Sequence, residues 1–238
     1  MARNESVLVT ASFTTTGGKA LAMQSAMTII QDTSRGALSW YQEGVHNIEV
    51  IPGSTIIIAL YAPGGGGGAS AYAPANESIH GGHGGNITMT CGASTIVAGG
   101  GKGGTGGEWS NGSSFTDGTP GKGGLVNLSG NLGDFEVITY ANGADAVLGS
   151  QWAAQPIAIG TTNEADASND GGQGALGVGD DYLSFGGSGG AGSYVRVRVT
   201  NTTELSAYVG ITVGNAGTAG VGSIDGGAGR RGSAVVIR

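Results

Sequence analysis

The chain has 238 residues, of which 51 are glycine and only 11% are charged, and its formal net charge is -7. Glycine at roughly three times its usual share sets the chain apart from an ordinary enzyme domain. An apolar fraction of 39% argues against a disordered chain, and the absence of a strict three-residue glycine period excludes collagen. Ten scattered basic residues form no cationic face, so neither nucleic acid nor an anionic membrane is predicted as a partner.

The first sixty residues contain only five of the glycines. Alternating apolar residues predict a strand over 6–13, and 45–51 and 54–61 read as two strands of antiparallel β-structure around the turn at Pro52 and Gly53. The stretch 19–31 fits either a helix or a buried strand pair.

The longest apolar run is too short to cross a bilayer. A single cysteine, Cys91, and a start without the apolar region of a signal peptide favour synthesis in a bacterial cytoplasm.

After Tyr61, glycine runs alternate with short predicted strands. The runs are 64–68, 81–85, 99–107, 171–179 and 186–192, and the strands are 86–90, 125–128, 135–140, 182–185, 193–200, 205–213 and 233–237. In 193–200 the valines and arginines alternate, and Leu205 begins the next apolar stripe. These two strands are predicted to form a hairpin with one solvated face.

The glycine runs allow two interpretations. They are mobile loops, or they pack closely as polyproline-II-like segments in which main-chain hydrogen bonds replace side-chain burial. The interleaved strands favour packing. In 100–108 the Gly-Gly-X spacing then places Lys102, Thr105 and Glu108 on one outward face.

Motifs for catalysis and metal binding are weak. Ser188 lies in a G-x-S-x-G pattern, but no histidine follows His83, so serine catalysis is not predicted. His80 and His83 lie too far apart on an extended segment to share one tetrahedral zinc ion, although a trimer axis could gather three copies of one histidine. The run 177–187 resembles a single calcium-binding repeat, and such sites need tandem copies. The sequence predicts no enzyme, no metal site and no cofactor.

Aromatic residues in polar insertions between glycine runs are better candidates for recognition. They are Tyr72, Trp109, Phe115 and Trp152. Rings on loops held by a rigid scaffold give a large contact area at low entropy cost, so these four residues are predicted to bind a receptor. The alternative is that each ring packs over a glycine run.

Two stretches carry a family resemblance. Residues 47–63 (NIEVIPGSTIIIALYAP), followed by five glycines, resemble the opening of the glycine-rich domain of bacteriophage tail and tail-fibre proteins. The end of the chain, with GGAGSYVR at 189–196, AYVGITVGNAG at 207–217 and the stretch 226–237, is similar to that domain's closing turns and last strand. More loosely, the chain resembles the receptor-recognising adhesins at the tips of some long tail fibres.

The sequence and this resemblance together imply an all-β fold: an antiparallel, jelly-roll-like β-sandwich with glycine-rich, polyproline-II-like segments. Residues 1–44 are predicted to form an N-terminal attachment and β segment, and residues 45–238 a glycine-rich β domain. The resemblance implies a homotrimeric virion protein that contacts other virion proteins and a bacterial surface receptor. A capsid decoration or head-fibre role and a glycine-helix ice-binding protein are the alternatives.

Overall fold

The computed structural model of the protein describes residues 38–70, 79–110, 114–130, 135–147, 171–172, 174–175 and 184–238. Within these ranges the chain consists of strands and extended segments without a helix. The strands are β1 (Leu38–Tyr41), β2 (Gly44–Val50), β3 (Thr55–Tyr61), β4 (Ile87–Cys91), β5 (Ser94–Ala98), β6 (Glu108–Ser110), β7 (Ser114–Thr116), β8 (Val126–Ser129), β9 (Glu136–Ala141), β10 (Tyr194–Thr200), β11 (Ala207–Val213) and β12 (Ser233–Ile237).

Ten of these strands form two five-stranded antiparallel sheets. The first sheet has the order β1-β12-β3-β10-β9 and the second has the order β2-β11-β4-β5-β8. Strands β6 and β7 pair separately as a short hairpin. The prediction of an all-β protein with antiparallel sheets is therefore confirmed for the described part of the chain.

One hydrophobic core is shared by the two sheets, which therefore pack face to face. The core forms because buried and exposed side chains alternate along the strands. In β10 and β11 every second residue points inward and is buried. The largest fully buried side chains of the chain are Ile48, Ile58, Leu60, Ile87, Met89, Ile96, Ile211, Val50, Val195, Val197 and Val209.

Strand β3 is buried on both of its faces, which explains its continuous apolar sequence. Its outer face belongs to a second, smaller cluster, in which Ala59 and Tyr61 pack with Tyr194 and Val235. The rings of Tyr61 and Tyr194 lie 4.8 Å apart between centroids. The first sheet is thus covered on both sides near β3.

The predicted hairpin of 193–200 and 205–213 is wrong. Both strands exist, but β10 pairs with β3 and β9, whereas β11 pairs with β2 and β4. Their valines face each other across the core, because the chain passes from one sheet to the other between them. Leu205 lies outside β11 and is 77% exposed, so the apolar stripe begins later than predicted.

The other strand predictions have mixed outcomes. The two strands around Pro52 and Gly53 are confirmed as β2 and β3, and they lie in different sheets. Residues 184–185, the described part of the strand predicted at 182–185, are extended chain that continues into a glycine run. Residues 6–13 and 19–31 lie outside the described residues. The division at residue 44 stays a prediction, and β1 on its N-terminal side pairs with β12.

Candidate functional site

The described residues include nine extended, glycine-rich tracts, eight of which connect to the same end of the two sheets. We number them in chain order: tract 1 (62–70), tract 2 (79–86), tract 3 (99–107), tract 4 (117–125), tract 5 (142–147), tract 6 (171–172 and 174–175), tract 7 (184–193), tract 8 (214–222) and tract 9 (226–232). Tracts 1, 3, 5 and 8 continue β3, β5, β9 and β11, and tracts 2, 4, 7 and 9 lead into β4, β8, β10 and β12. Adjacent tracts are joined by main-chain hydrogen bonds.

Tract 1 shows how these bonds are organised. Gly64 and Gly67 donate to tract 9, Gly65 and Gly68 to tract 7, and Gly66 and Ala69 to tract 2, with N···O distances of 2.8 to 3.0 Å. Its carbonyl groups accept from tracts 3, 6 and 8 with the same spacing. A change of direction that repeats every three residues is the period of a polyproline II helix. The described residues of the glycine runs are therefore packed as segments of this type.

Six tracts surround tract 1, and together the nine form a three-row array. Tracts 2, 3 and 4 form one outer row, tracts 8, 1, 7 and 5 the middle row, and tracts 9 and 6 the other outer row. A β-carbon on Gly66 would lie 1.8 Å from the carbonyl oxygen of Thr218, and one on Gly101 would lie 1.9 Å from that of Gly190. Only glycine fits where tracts approach this closely.

At the edge of the array, side chains replace missing main-chain partners. In tract 3 every third N–H group points to tract 2 and donates to a side chain there: Gly100 to Asn86 Oδ1 at 3.1 Å, Gly103 to His83 Nδ1 at 2.9 Å, and Gly106 to His80 Nδ1 at 3.0 Å. We call His80, His83 and Asn86 the acceptor ladder. Its three-residue spacing places all three side chains on one face of tract 2.

Tract 4 is capped in the same way by Asp145. Its carboxylate accepts from the Gly123 N–H at 2.8 Å and from Lys122 Nζ at 2.9 Å. The Lys122 hydrogen bond, followed by that of Gly123, lowers the pKa of Asp145 below its usual value. Lys102 and Glu108 are exposed and Thr105 is partly exposed, as the Gly-Gly-X spacing predicts.

The far end of the array, away from the sheets, is the candidate site. Tract 1 leaves the sandwich at Tyr61 and ends at Ser70, and tract 2 begins the return at Ile79, so residues 71–78 connect at this end. The Ala69 N–H donates to the Ile79 carbonyl group at 2.8 Å, and the Gly107 N–H donates to that of Ala69 at 3.0 Å. The hairpin of β6 and β7 therefore starts beside the ends of tracts 1 and 2.

Two further segments end at the same place. The turn after tract 8 joins it through a β-bridge between Ser70 and Ile224. Tract 7 starts there too: the Phe185 carbonyl group accepts from the Gly118 N–H at 2.7 Å, and its own N–H donates to Asp117 Oδ1 at 2.9 Å. The ends of four connections thus lie close together at the far end: Ser70 and Ile79, the β6–β7 hairpin, Ala175 and Ser184, and the turn at 222–225.

The predicted recognition residues are only partly described. Trp109 and Phe115 lie opposite each other in the register of the hairpin, at the far end. Tyr72 belongs to the 71–78 connection and Trp152 to 148–170, and both lie outside the described residues. Their role in receptor binding stays a prediction.

Sequence reasoning missed Phe185. Its side chain is 46% exposed at the far end, beside Asp117. The signal was an aromatic residue directly before a long glycine run, which the strand prediction over 182–185 obscured. Glu108, Asp117 and Asp225 are exposed at or next to this end.

The other chemical motifs take structural positions. Ser188 is buried within tract 7, and its Oγ accepts from the Gly174 N–H at 3.1 Å. Cys91 is a partly buried thiol at the end of β4. Nowhere in the described ranges do three metal-ligating side chains come together. The same ranges contain no helix long and apolar enough to span a membrane.

Comparison with known proteins returned no family model, no curated protein and no solved structure that matches this chain.

Proposed function

We propose that the protein is a non-enzymatic structural component of a bacteriophage particle, and that it lies in a tail fibre or at its tip and binds a receptor on the host surface. In this proposal the sandwich is a jelly-roll-like domain that assembles as a homotrimer. Residues 1–44 attach the chain to other virion proteins. The protein is made in the bacterial host cytoplasm and is incorporated into the virion.

The observation that carries this proposal is the far end of the array. Main-chain hydrogen bonds between neighbouring tracts hold the ends of four connections side by side, at the opposite end from the strands. Such a scaffold tolerates sequence change in the connections, because the hydrogen bonds that position them belong to the tracts. A rigid frame with variable loops at one end suits recognition.

The proposed mechanism is multivalent adhesion. In this proposal the contacts come from the aromatic residues predicted from the sequence, which are Trp109 and Phe115 of the hairpin together with Tyr72 and Trp152. One such contact is weak. Several chains on one particle raise the effective concentration of the remaining sites once the first has bound, so the avidity exceeds the affinity of a single site.

A capsid decoration or head-fibre role is the second candidate. It is favoured by exposed apolar residues well away from the far end, on the outer face of β9, where Ile138 is 40% and Tyr140 is 55% exposed. These side chains would pack against a neighbouring particle protein.

Immunogold electron microscopy of virions with antibody against this chain separates the two candidates. Label at fibre tips is expected, whereas label over the head would overturn adhesion in favour of decoration. Absence of label would overturn the virion assignment.

Cell binding by the purified chain then tests the far end. Alanine at Tyr72, Trp109, Phe115 or Trp152 is expected to weaken binding at least tenfold for the rings that contact the receptor. Tyr208→Ala, which removes an exposed ring from the sandwich, is the matched control and should bind normally. Loss of binding in the control alone would move the site to the sandwich.

A further inference from the structure

The acceptor ladder depends on the protonation state of two of its three members. A main-chain N–H group is only a donor, so the Nδ1 atoms that receive the Gly106 and Gly103 hydrogen bonds carry no proton. Each ring is then neutral, with its proton on Nε2. A protonated imidazole has donors at both nitrogens and cannot accept.

We infer that His80 and His83 form a pH-sensitive latch that holds tract 2 against the outer half of tract 3. When both rings are neutral, both accept and the ladder is complete. When the rings are protonated, both nitrogens are donors, and two N–H groups of tract 3 lose their acceptors. The edge of the array then opens where the 71–78 connection and the β6–β7 hairpin begin.

Position along the tract limits the effect to the far end. Asn86, the ladder member nearest the sheets, does not titrate and keeps its hydrogen bond to Gly100 at any pH. The main-chain bonds from tract 2 to tract 3, such as Gly84 N–H to the Gly101 carbonyl group at 2.9 Å, are also independent of the protonation of the rings. Protonation of the latch therefore breaks two hydrogen bonds between tracts 2 and 3, while the other hydrogen bonds between these tracts persist.

Within the described part of the chain, the surroundings of the ladder add few other charges. Tract 2 packs against tracts 1, 3 and 8. Tracts 1 and 8 contain no charged residue, tract 3 contains Lys102, and Glu108 follows tract 3 directly. His46, the third histidine of the chain, lies in β2 and its Nε2 is 2.7 Å from the Gln42 carbonyl oxygen. It is outside the array and serves as an internal control.

The test is hydrogen exchange of the full-length protein at pH 8 and pH 5, measured by mass spectrometry on fragments that cover 99–107. Exchange is normalised to the unfolded chain at each pH. We expect protection in this tract to be about tenfold lower at pH 5, the factor that corresponds to one lost hydrogen bond per exposed N–H.

The variant His80→Asn/His83→Asn repeats the acceptor that Asn86 already supplies, so its protection should not change between the two pH values. His46→Asn should keep the pH response of the unchanged protein. Equal protection at both pH values in the unchanged protein, a pH response that survives in the double variant, or one abolished by His46→Asn would each overturn the latch.

A second measurement needs no variant and covers the case in which the double variant does not fold. Nitrogen-15 NMR of the histidine rings at pH 8 reports directly which ring nitrogen carries the proton. The latch requires unprotonated Nδ1 in both His80 and His83. A proton on Nδ1 of either ring would overturn the latch at that position.

Discussion

The β-sandwich and the glycine array differ in how their main-chain groups are paired and in what stabilises each region. In the sandwich, main-chain groups pair along strands, and stability comes from side chains such as Ile58 and Val197 that are removed from water between the sheets. In the array, few side chains take part in the contacts between tracts, and neighbouring tracts pair their main chains in three directions around each axis.

The two regions therefore differ in the substitutions that they tolerate. A well-packed core adapts to the loss of a methyl group, because neighbouring side chains shift into the space. At positions such as Gly66 and Gly101 no side chain can shift to make room, since the nearest atom to an added β-carbon is a main-chain carbonyl oxygen of another tract. One added carbon must therefore separate whole tracts.

The largest expected effect follows from this rigidity. Gly66→Ala places a β-carbon 1.8 Å from the Thr218 carbonyl oxygen, in the tract that has six neighbours. We expect the free energy of unfolding to fall by more than about 4 kcal/mol, measured by chemical denaturation. Lys102→Ala, at an exposed position of tract 3, is the control and should be near neutral. Similar midpoints for the two variants would contradict the close packing of the array.

Asn201 lies in the sandwich, and its side chain pairs with main-chain groups as the side chains at the edge of the array do. Its buried side chain donates to the carbonyl groups of Val50 and Leu205, both at 2.8 Å, and its Oδ1 accepts from Thr203. Asn201→Ala should lower the free energy of unfolding by about 2–3 kcal/mol, because main-chain groups lose their partner. Thr202→Ala, at the exposed neighbouring position, should cost little. Equal losses would mean that the chain crosses between the sheets without help from Asn201.

A conservative change in the core of the sandwich measures how well that region tolerates a loss of side-chain volume. Ile58→Val removes one methylene group from a fully buried position in β3 and should cost about 1 kcal/mol in thermal or chemical unfolding. Ile51→Val makes the same change at a side chain that is 58% exposed and is expected to be neutral. A cost for Ile58→Val as large as that for Gly66→Ala would remove the proposed contrast.

Sequence periodicity found most strands but could not assign them to sheets. The alternation in 193–200 shows which residues face inward, and β10 confirms it. It does not show whether the next strand lies beside β10 or across the core from it, because both arrangements bury the same valines. Pairing depends on contacts between residues far apart in the chain, such as Val197 with Ile58.

The array could be predicted in part. Gly-Gly-X spacing gives the outward face of tract 3, since it follows from the local helix alone. The neighbours of each tract could not be predicted, because glycine runs carry no side chains that distinguish one partner from another. The acceptor ladder did leave a signal, a polar residue at every third position of tract 2. The spacing alone does not show that these side chains accept main-chain hydrogen bonds, because it does not show which tract lies beside tract 2.

Asp145 gives the smallest expected effect. Its pKa is lowered in the folded protein, chiefly by the Lys122 hydrogen bond and then by that of Gly123, so its contribution is present at neutral pH. That contribution is lost as the pH falls below the ordinary range of an aspartate.

Two substitutions of Asp145 distinguish the contribution of the Lys122 ion pair from that of the Gly123 hydrogen bond. Asp145→Asn keeps an oxygen for the Gly123 N–H and should cost only a few tenths of a kcal/mol, because the Lys122 pair is exposed. Asp145→Ala also removes the cap and should cost about 1 kcal/mol in chemical denaturation at pH 7. If both variants unfold at the same denaturant concentration, capping of the tract edge by side chains contributes nothing at this position. The stability of the array would then come from contacts between main chains alone.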